Sequence, residues 1–229
     1  MKNQIKIVAF DADDTLWINE DYFHETEKEF CFLLKDFLSK EEISRVLFET
    51  EMKNLHLYGY GVKGFVLSMI ETASTISQNK VSIEVLNRIL EIGHYLLERP
   101  VELIDGVQAV LDKLHESYRL VIATKGDLLD QERKLEKSGL KKYFNHIEIM
   151  SSKKNINYTR LLTYLKCKPD NFLMIGNSVN SDILPVLEVG AFAAHVPYHL
   201  TWKHEITDYK LEYDKLIQLK SIKDINLFL

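Results

Sequence analysis

The chain has 229 residues, 46% hydrophobic and 28% charged, with a formal net charge of −5. That composition suits a globular protein built as one large domain or as a core with an insertion. The acidic balance argues against a nucleic-acid binder, which carries a basic footprint.

Other exclusions come from the pattern. No apolar run reaches membrane-spanning length, and the start MKNQIKIVAF is too short and too quickly acidic for a secretory leader. Cys31 and Cys167 lie far apart, without metal-ligand spacing. The expectation is a cytoplasmic protein in a reducing compartment, with neither a disulfide nor a zinc site, and no membrane or nucleic-acid partner.

Taken in chain order, Ile5 to Phe10 reads as a buried strand that ends abruptly in Asp11-Ala-Asp13-Asp14-Thr15. Carboxylates crowded at the carboxyl end of a core strand repel one another, so a cation is expected there. In an open parallel α/β sheet this end of the strands is where ligands bind. The economical chemistry is a divalent metal beside a nucleophilic carboxylate, with a second carboxylate placed for proton transfer.

Residues 18–103 read as helical. Phe23, Phe30, Leu33, Leu34 and Phe37 share one stripe, and Ile83, Leu86, Ile89, Leu90 and Leu97 share another. Ser39-Lys-Glu-Glu42 has the form of a capping box. Between these stripes, Leu57-Tyr-Gly-Tyr-Gly-Val-Lys-Gly-Phe65 brings three glycines and two tyrosines together. It reads either as a helix-to-helix turn or as a substrate-facing loop, with Tyr58, Tyr60 and Lys63 as candidate specificity contacts.

After Pro100 the alternation of strand and helix returns. Strands are expected at Arg119–Ala123, His146–Met150, Asn171–Ile175 and Ala191–Pro197, and helices at Val107–His115, Tyr158–Leu165 and Leu184–Val189. An edge strand at Lys215–Leu219 and a short closing helix capped by Ser221 complete the pattern. This predicts an α/β Rossmann-like parallel sheet core (residues 1–17 and 104–229) with an inserted all-helical cap domain (residues 18–103). The cap is expected to close over the site, excluding solvent and selecting small substrates.

Polar residues follow four of the expected strands: Asp11 to Thr15; Thr124-Lys125-Gly126; Lys153-Lys154; and Gly176-Asn177-Ser178 with Asp182. In this order they resemble the haloacid dehalogenase superfamily, whose members are mostly Mg²⁺-dependent phosphohydrolases. The resemblance covers essentially the whole chain. It implies Asp11 as nucleophile forming an aspartyl-phosphate, and Asp13 as general acid and base. Thr15, Thr124, Lys125 and Gly126 fall at the phosphate, and Lys154 supplies charge toward Asp11 and the phosphoryl oxygens. The metal set would be Asp11, Asp13 through its backbone carbonyl, Asn177 and Asp182.

Two departures stand out. Lys-Lys-Asn-Ile-Asn replaces the Lys-Lys-Pro-Asp-Pro of many relatives, so Lys153 is an alternative to Lys154. Asn177 replaces a usual aspartate, which removes charge from the metal and shifts weight to Asp182. The resemblance implies a small phosphate ester as substrate and Mg²⁺ as cofactor. A phosphomutase, and a catalytically silent binding or regulatory protein retaining the fold, are the alternatives. Dehalogenation is disfavoured, because that branch lacks the second aspartate.

Overall fold

The computed structural model describes residues 4–206 and 213–229; the leader reading at the amino end falls partly outside that range. The chain forms two compact units. Met1–Glu20, Val101–Lys125 and Arg133–Leu229 make up the first, and Asp21–Pro100 with Gly126–Glu132 the second. The strands are β1 (Ile7–Phe10), β2 (Arg119–Lys125), β3 (His146–Met150), β4 (Phe172–Gly176), β5 (Phe192–His195) and β6 (Leu216–Gln218). The α-helices are α1 (Glu20–Leu33), α2 (Lys40–Tyr58), α3 (Val62–Ile76), α4 (Ile83–Glu98), α5 (Val107–Leu114), α6 (Leu128–Lys137), α7 (Asn155–Leu165) and α8 (Leu184–Glu188).

In the first unit the six strands form one parallel sheet, ordered β3-β2-β1-β4-β5-β6. Alternate residues of β1 enter opposite faces, as the two-residue period of a strand requires. Val8 and Phe10 pack with Val107, Val110, Leu111 and Leu114 of α5. Ile7 and Ala9 pack with Tyr158, Leu161, Leu162 and Leu165 of α7. Both helical sets follow the i, i+3, i+4, i+7 spacing of a single buried stripe. Each such side chain contributes about 1.5–3 kcal/mol when fully buried, so packing pins β1 whatever follows it.

That placement positions the site. Phe10 pairs with Ile122 of β2 on one side and Ile175 of β4 on the other. The Asp11 N–H still donates to the Ile175 carbonyl at 2.9 Å. β1 lies where the chain order of the sheet reverses, and its carboxyl end opens on the crevice such sheets use for ligands. The edge strand β6 and a 3₁₀ turn at Ile222–Leu227 capped by Ser221 close the unit.

The second unit is helical. Phe30, Leu34, Ile43, Leu47, Phe65, Met69, Ala73, Ile89 and Leu96 form its core. Ser39 and Glu42 make the expected capping box at α2. The two apolar stripes need correction. Phe37 lies beyond the end of α1 and is exposed, and α4 buries Ile89, Ile92, Gly93 and Leu96 while Ile83 and Leu90 face solvent. The glycine-rich segment is a helix-to-helix turn between α2 and α3. Gly59 and Gly61 take φ of 69° and 101°, values that side chains other than glycine rarely adopt.

Candidate active site

The turn after β1 is held from within. Asp14, at φ 61°, accepts hydrogen bonds from the backbone N–H groups of Asn19 (2.9 Å) and Glu20 (3.0 Å). Burial pushes its pKa up to about 7, partly offset by the Glu20 hydrogen bond, while the Asp13 charge adds to the rise. Asp14 therefore shapes the turn.

Asp11 is buried at the centre. The Thr15 hydroxyl lies 3.3 Å from Asp11 Oδ2 and 3.3 Å from Asn177 Oδ1, so it ties β1 to the turn after β4. Lys153 Nζ bonds directly to Asp11 and, at 2.6 Å, to Asp182 Oδ1. The other Asp182 oxygen accepts the Ser178 N–H at 3.0 Å. Burial raises the Asp11 carboxyl to about 7; Lys153 opposes that rise and Asp182 reinforces it. Burial also works against the charge of Lys153, but Asp11 and Asp182 outweigh it and hold its pKa above the ordinary lysine value. With both carboxylates ionised, two share one ammonium and the cluster is one positive charge short.

The lysine assignment is corrected here. Lys153 is 4% exposed and meets Asp11, whereas Lys154 is exposed. The Lys154 backbone N–H donates to Asn157 Oδ1 at 3.1 Å, fixing that residue as the extended cap of α7. Successive residues of an extended chain point to opposite sides, so the inward position falls to Lys153. Asp182 also differs from expectation: it sits in a π-helical turn (Val179–Ile183), completely buried, with both oxygens engaged by Lys153 and Ser178. It anchors the lysine first.

Around this centre, Thr124 is buried at the end of β2. Lys125 Nζ bonds to Ser181 Oγ at 2.8 Å and pairs with Glu205, which also bonds to Ser178. Burial works against ionising Glu205, but Lys125 and the two serines outweigh it and hold its carboxyl below the usual range. Glu205 went unread in the sequence, since it follows no strand and belongs to no recognisable motif.

Asp13 is placed separately from the Lys153 cluster. Its Oδ1 accepts from Trp17 Nε1 at 2.6 Å and from Lys134 Nζ at 2.6 Å. Trp17 is a core side chain whose indole N–H holds Asp13. Lys134 was also missed, because α6 (LLDQERKLEK) is too charged to show an apolar stripe.

Tyr60, Lys63 and Gly126 belong to the second unit, where Lys63 pairs with Asp127 at 2.9 Å.

Comparison with known proteins gives the same frame. A family model described as haloacid dehalogenase-like hydrolase matches residues 5–190. The chain belongs to this family. Its similarity to a crystal structure of a haloacid dehalogenase-like family hydrolase from Xanthomonas campestris is 37% identity, covering 96% of this chain and 88% of that one, with a TM-score of 0.86. It is 26% identical to a glyceraldehyde 3-phosphate phosphatase of Methanothermobacter thermautotrophicus, over 86% of this chain and 88% of the relative. It is also 26% identical to an N-acylneuraminate-9-phosphatase of Mus musculus, over 82% and 80%. As for membranes, no helix among the described residues is long and apolar enough to cross one.

Proposed function

We propose that this family member is a phosphatase of small phosphate monoesters, with Asp11 as nucleophile and Asp13 as general acid and base. The observation that carries the reading is the buried Asp11–Lys153–Asp182 cluster at the carboxyl end of the central strand. Two relatives named as phosphatases, matched over most of their length, support it.

Asp11 attacks phosphorus, and the bond to the leaving oxygen breaks with its electron pair going to that oxygen. Asp13 supplies the proton. Asp13 then takes a proton from water as the water oxygen attacks phosphorus and the bond to Asp11 breaks. Lys153 keeps Asp11 oriented and offsets negative charge as two anions approach, and Thr124 and Lys125, at the end of β2, would meet the phosphate. Halide departure needs no proton, so an aspartate built into place by Lys134 and Trp17 favours ester cleavage over dehalogenation.

The donor set suits Mg²⁺. Asp11 Oδ2 and Asn177 Oδ1 both lie within reach of one hydroxyl, that of Thr15. They are hard oxygens, and the cluster, with both carboxylates ionised, lacks one positive charge. Among the described residues no group of three His, Cys, Asp or Glu side chains stands ready for a metal. Mg²⁺ needs none, since it binds through one or two carboxylates and keeps several waters. Asp11, Asn177 and the Asp13 carbonyl would hold it, with Asp182 contributing directly or through water. When bound, the metal supplies neutralising charge at the phosphoryl oxygens.

Sugar phosphates and nucleoside monophosphates form the substrate class, with Tyr60 and Lys63 as specificity residues. An anionic substrate group meeting Lys63 would compete with Asp127. A panel of phosphate esters and 2-haloacids, assayed with and without Mg²⁺, tests the proposal. Mg²⁺-dependent phosphate release from one ester class is expected; halide release or silence across the panel would overturn it.

A further inference from the structure

We infer that Lys134 is a positioning residue for the acid/base carboxylate, acting through Asp13 with the Trp17 indole as its partner. This deepens the phosphatase reading and rests on it. Three observations converge. Lys134 Nζ and Trp17 Nε1 each lie 2.6 Å from the same oxygen, Asp13 Oδ1. Lys134 also donates to Asn19 Oδ1 at 3.1 Å, and the Asn19 N–H donates to Asp14, so the ammonium is tied to the far end of the same turn. The Lys134 and Asp13 side chains are only 18% and 24% exposed, unlike the solvated pairs elsewhere on the surface.

The geometry has a chemical consequence. A carboxylate with two rotatable bonds, on a turn, must present one oxygen to the leaving group and later to water. Two donors fixed on Oδ1, one from a core indole and one from a helix, restrict that rotation. Proton delivery loses rate steeply when the donor is misplaced by an ångström. Lys134 touches neither phosphorus nor the bond being broken in this scheme. The proton passes from Asp13 to the leaving oxygen as that oxygen gains the P–O electron pair, and returns to Asp13 from the attacking water.

The test exploits leaving-group chemistry. An alkyl phosphate leaves as a basic alkoxide and needs the proton; p-nitrophenolate needs it far less. K134M should lower kcat/KM for an alkyl phosphate by about 10²-fold, within the range of general acid–base effects. Its loss on p-nitrophenyl phosphate should be at least tenfold smaller. K134R, which keeps charge and donors, should recover most of the difference. In a D13N background the Lys134 change should add little, because the two act as one unit. Should K134M fold poorly by circular dichroism, K134A provides the same test, since alanine favours the helix and removes the ammonium. Equal losses on both esters, or full additivity with D13N, would overturn the inference. A wild type without turnover, or a D13N enzyme as fast as wild type on alkyl esters, would instead sink the phosphatase reading beneath it.

Discussion

Lys153 Nζ lies 2.6 Å from Asp182 Oδ1, and each side chain is only 1% exposed. A lysine this deeply placed holds its charge only because Asp11 and Asp182 both face it. Removing one partner of such a buried pair costs about 3–5 kcal/mol, since uncompensated charge stays behind. K153M should therefore unfold at markedly lower denaturant and lose turnover. K154M should match wild type in both. Chemical denaturation and a phosphate-release assay on the two variants check this.

Gly176 makes a second structural prediction. A Cβ built there would overlap the Asp182 side chain at Oδ2, Cγ and Cβ. G176A must push Asp182 off Lys153 and the Ser178 N–H. Overpacking of this kind costs about 1–3 kcal/mol. The drop should appear in the thermal midpoint, and it should shrink in a D182G background, where the opposing side chain is gone, Cβ included.

Asp11 was legible in the sequence, whereas the choice between Lys153 and Lys154 was not. Asp11 follows an apolar strand directly, so its position at the strand end needed only the two-residue period. Lys153 and Lys154 sit in a turn between β3 and α7, where the inward residue depends on the backbone at the helix cap. No periodicity runs through four residues of turn. α6 was unreadable for another reason: its charged residues mask the one deeply buried apolar side chain, Leu135. Lys134 rides on that helix and was lost with it. The parallel sheet was legible because the strands are continuous apolar runs separated by helical patterns, whereas Phe37 looked buried only if α1 ran on past Leu33.

The raised pKa of Asp11 sets the pH dependence of metal binding. Burial raises its carboxyl to about 7, so in the proposed site a proton would compete with Mg²⁺ for the same group below that pH. Mg²⁺ affinity should rise about tenfold per pH unit toward 7 and level off above it. The metal-free fold should behave oppositely. Asp11 and Asp14 both have folded pKa values of about 7 against 3.8 for the free side chain. Their burial therefore destabilises the fold progressively as pH rises from about 4 through about 7. Calorimetric Mg²⁺ titrations and urea midpoints across that window read both trends.

Asn177 should limit the metal. It offers a neutral oxygen where a carboxylate would add charge, and hard cations favour the anion. N177D should tighten Mg²⁺ binding several-fold at pH 8, seen by titration calorimetry. Unchanged affinity would mean that Asn177 lies outside the coordination shell.

The central claim is that Asp11 carries the phosphoryl group. Acid quenching of the wild-type enzyme during turnover of a phosphate ester with Mg²⁺, followed by peptide mapping, tests it most directly. A phosphoryl adduct on Asp11, absent from D11N along with turnover, is the predicted result. Phosphate release by D11N at the wild-type rate, or an adduct on another residue, would contradict it.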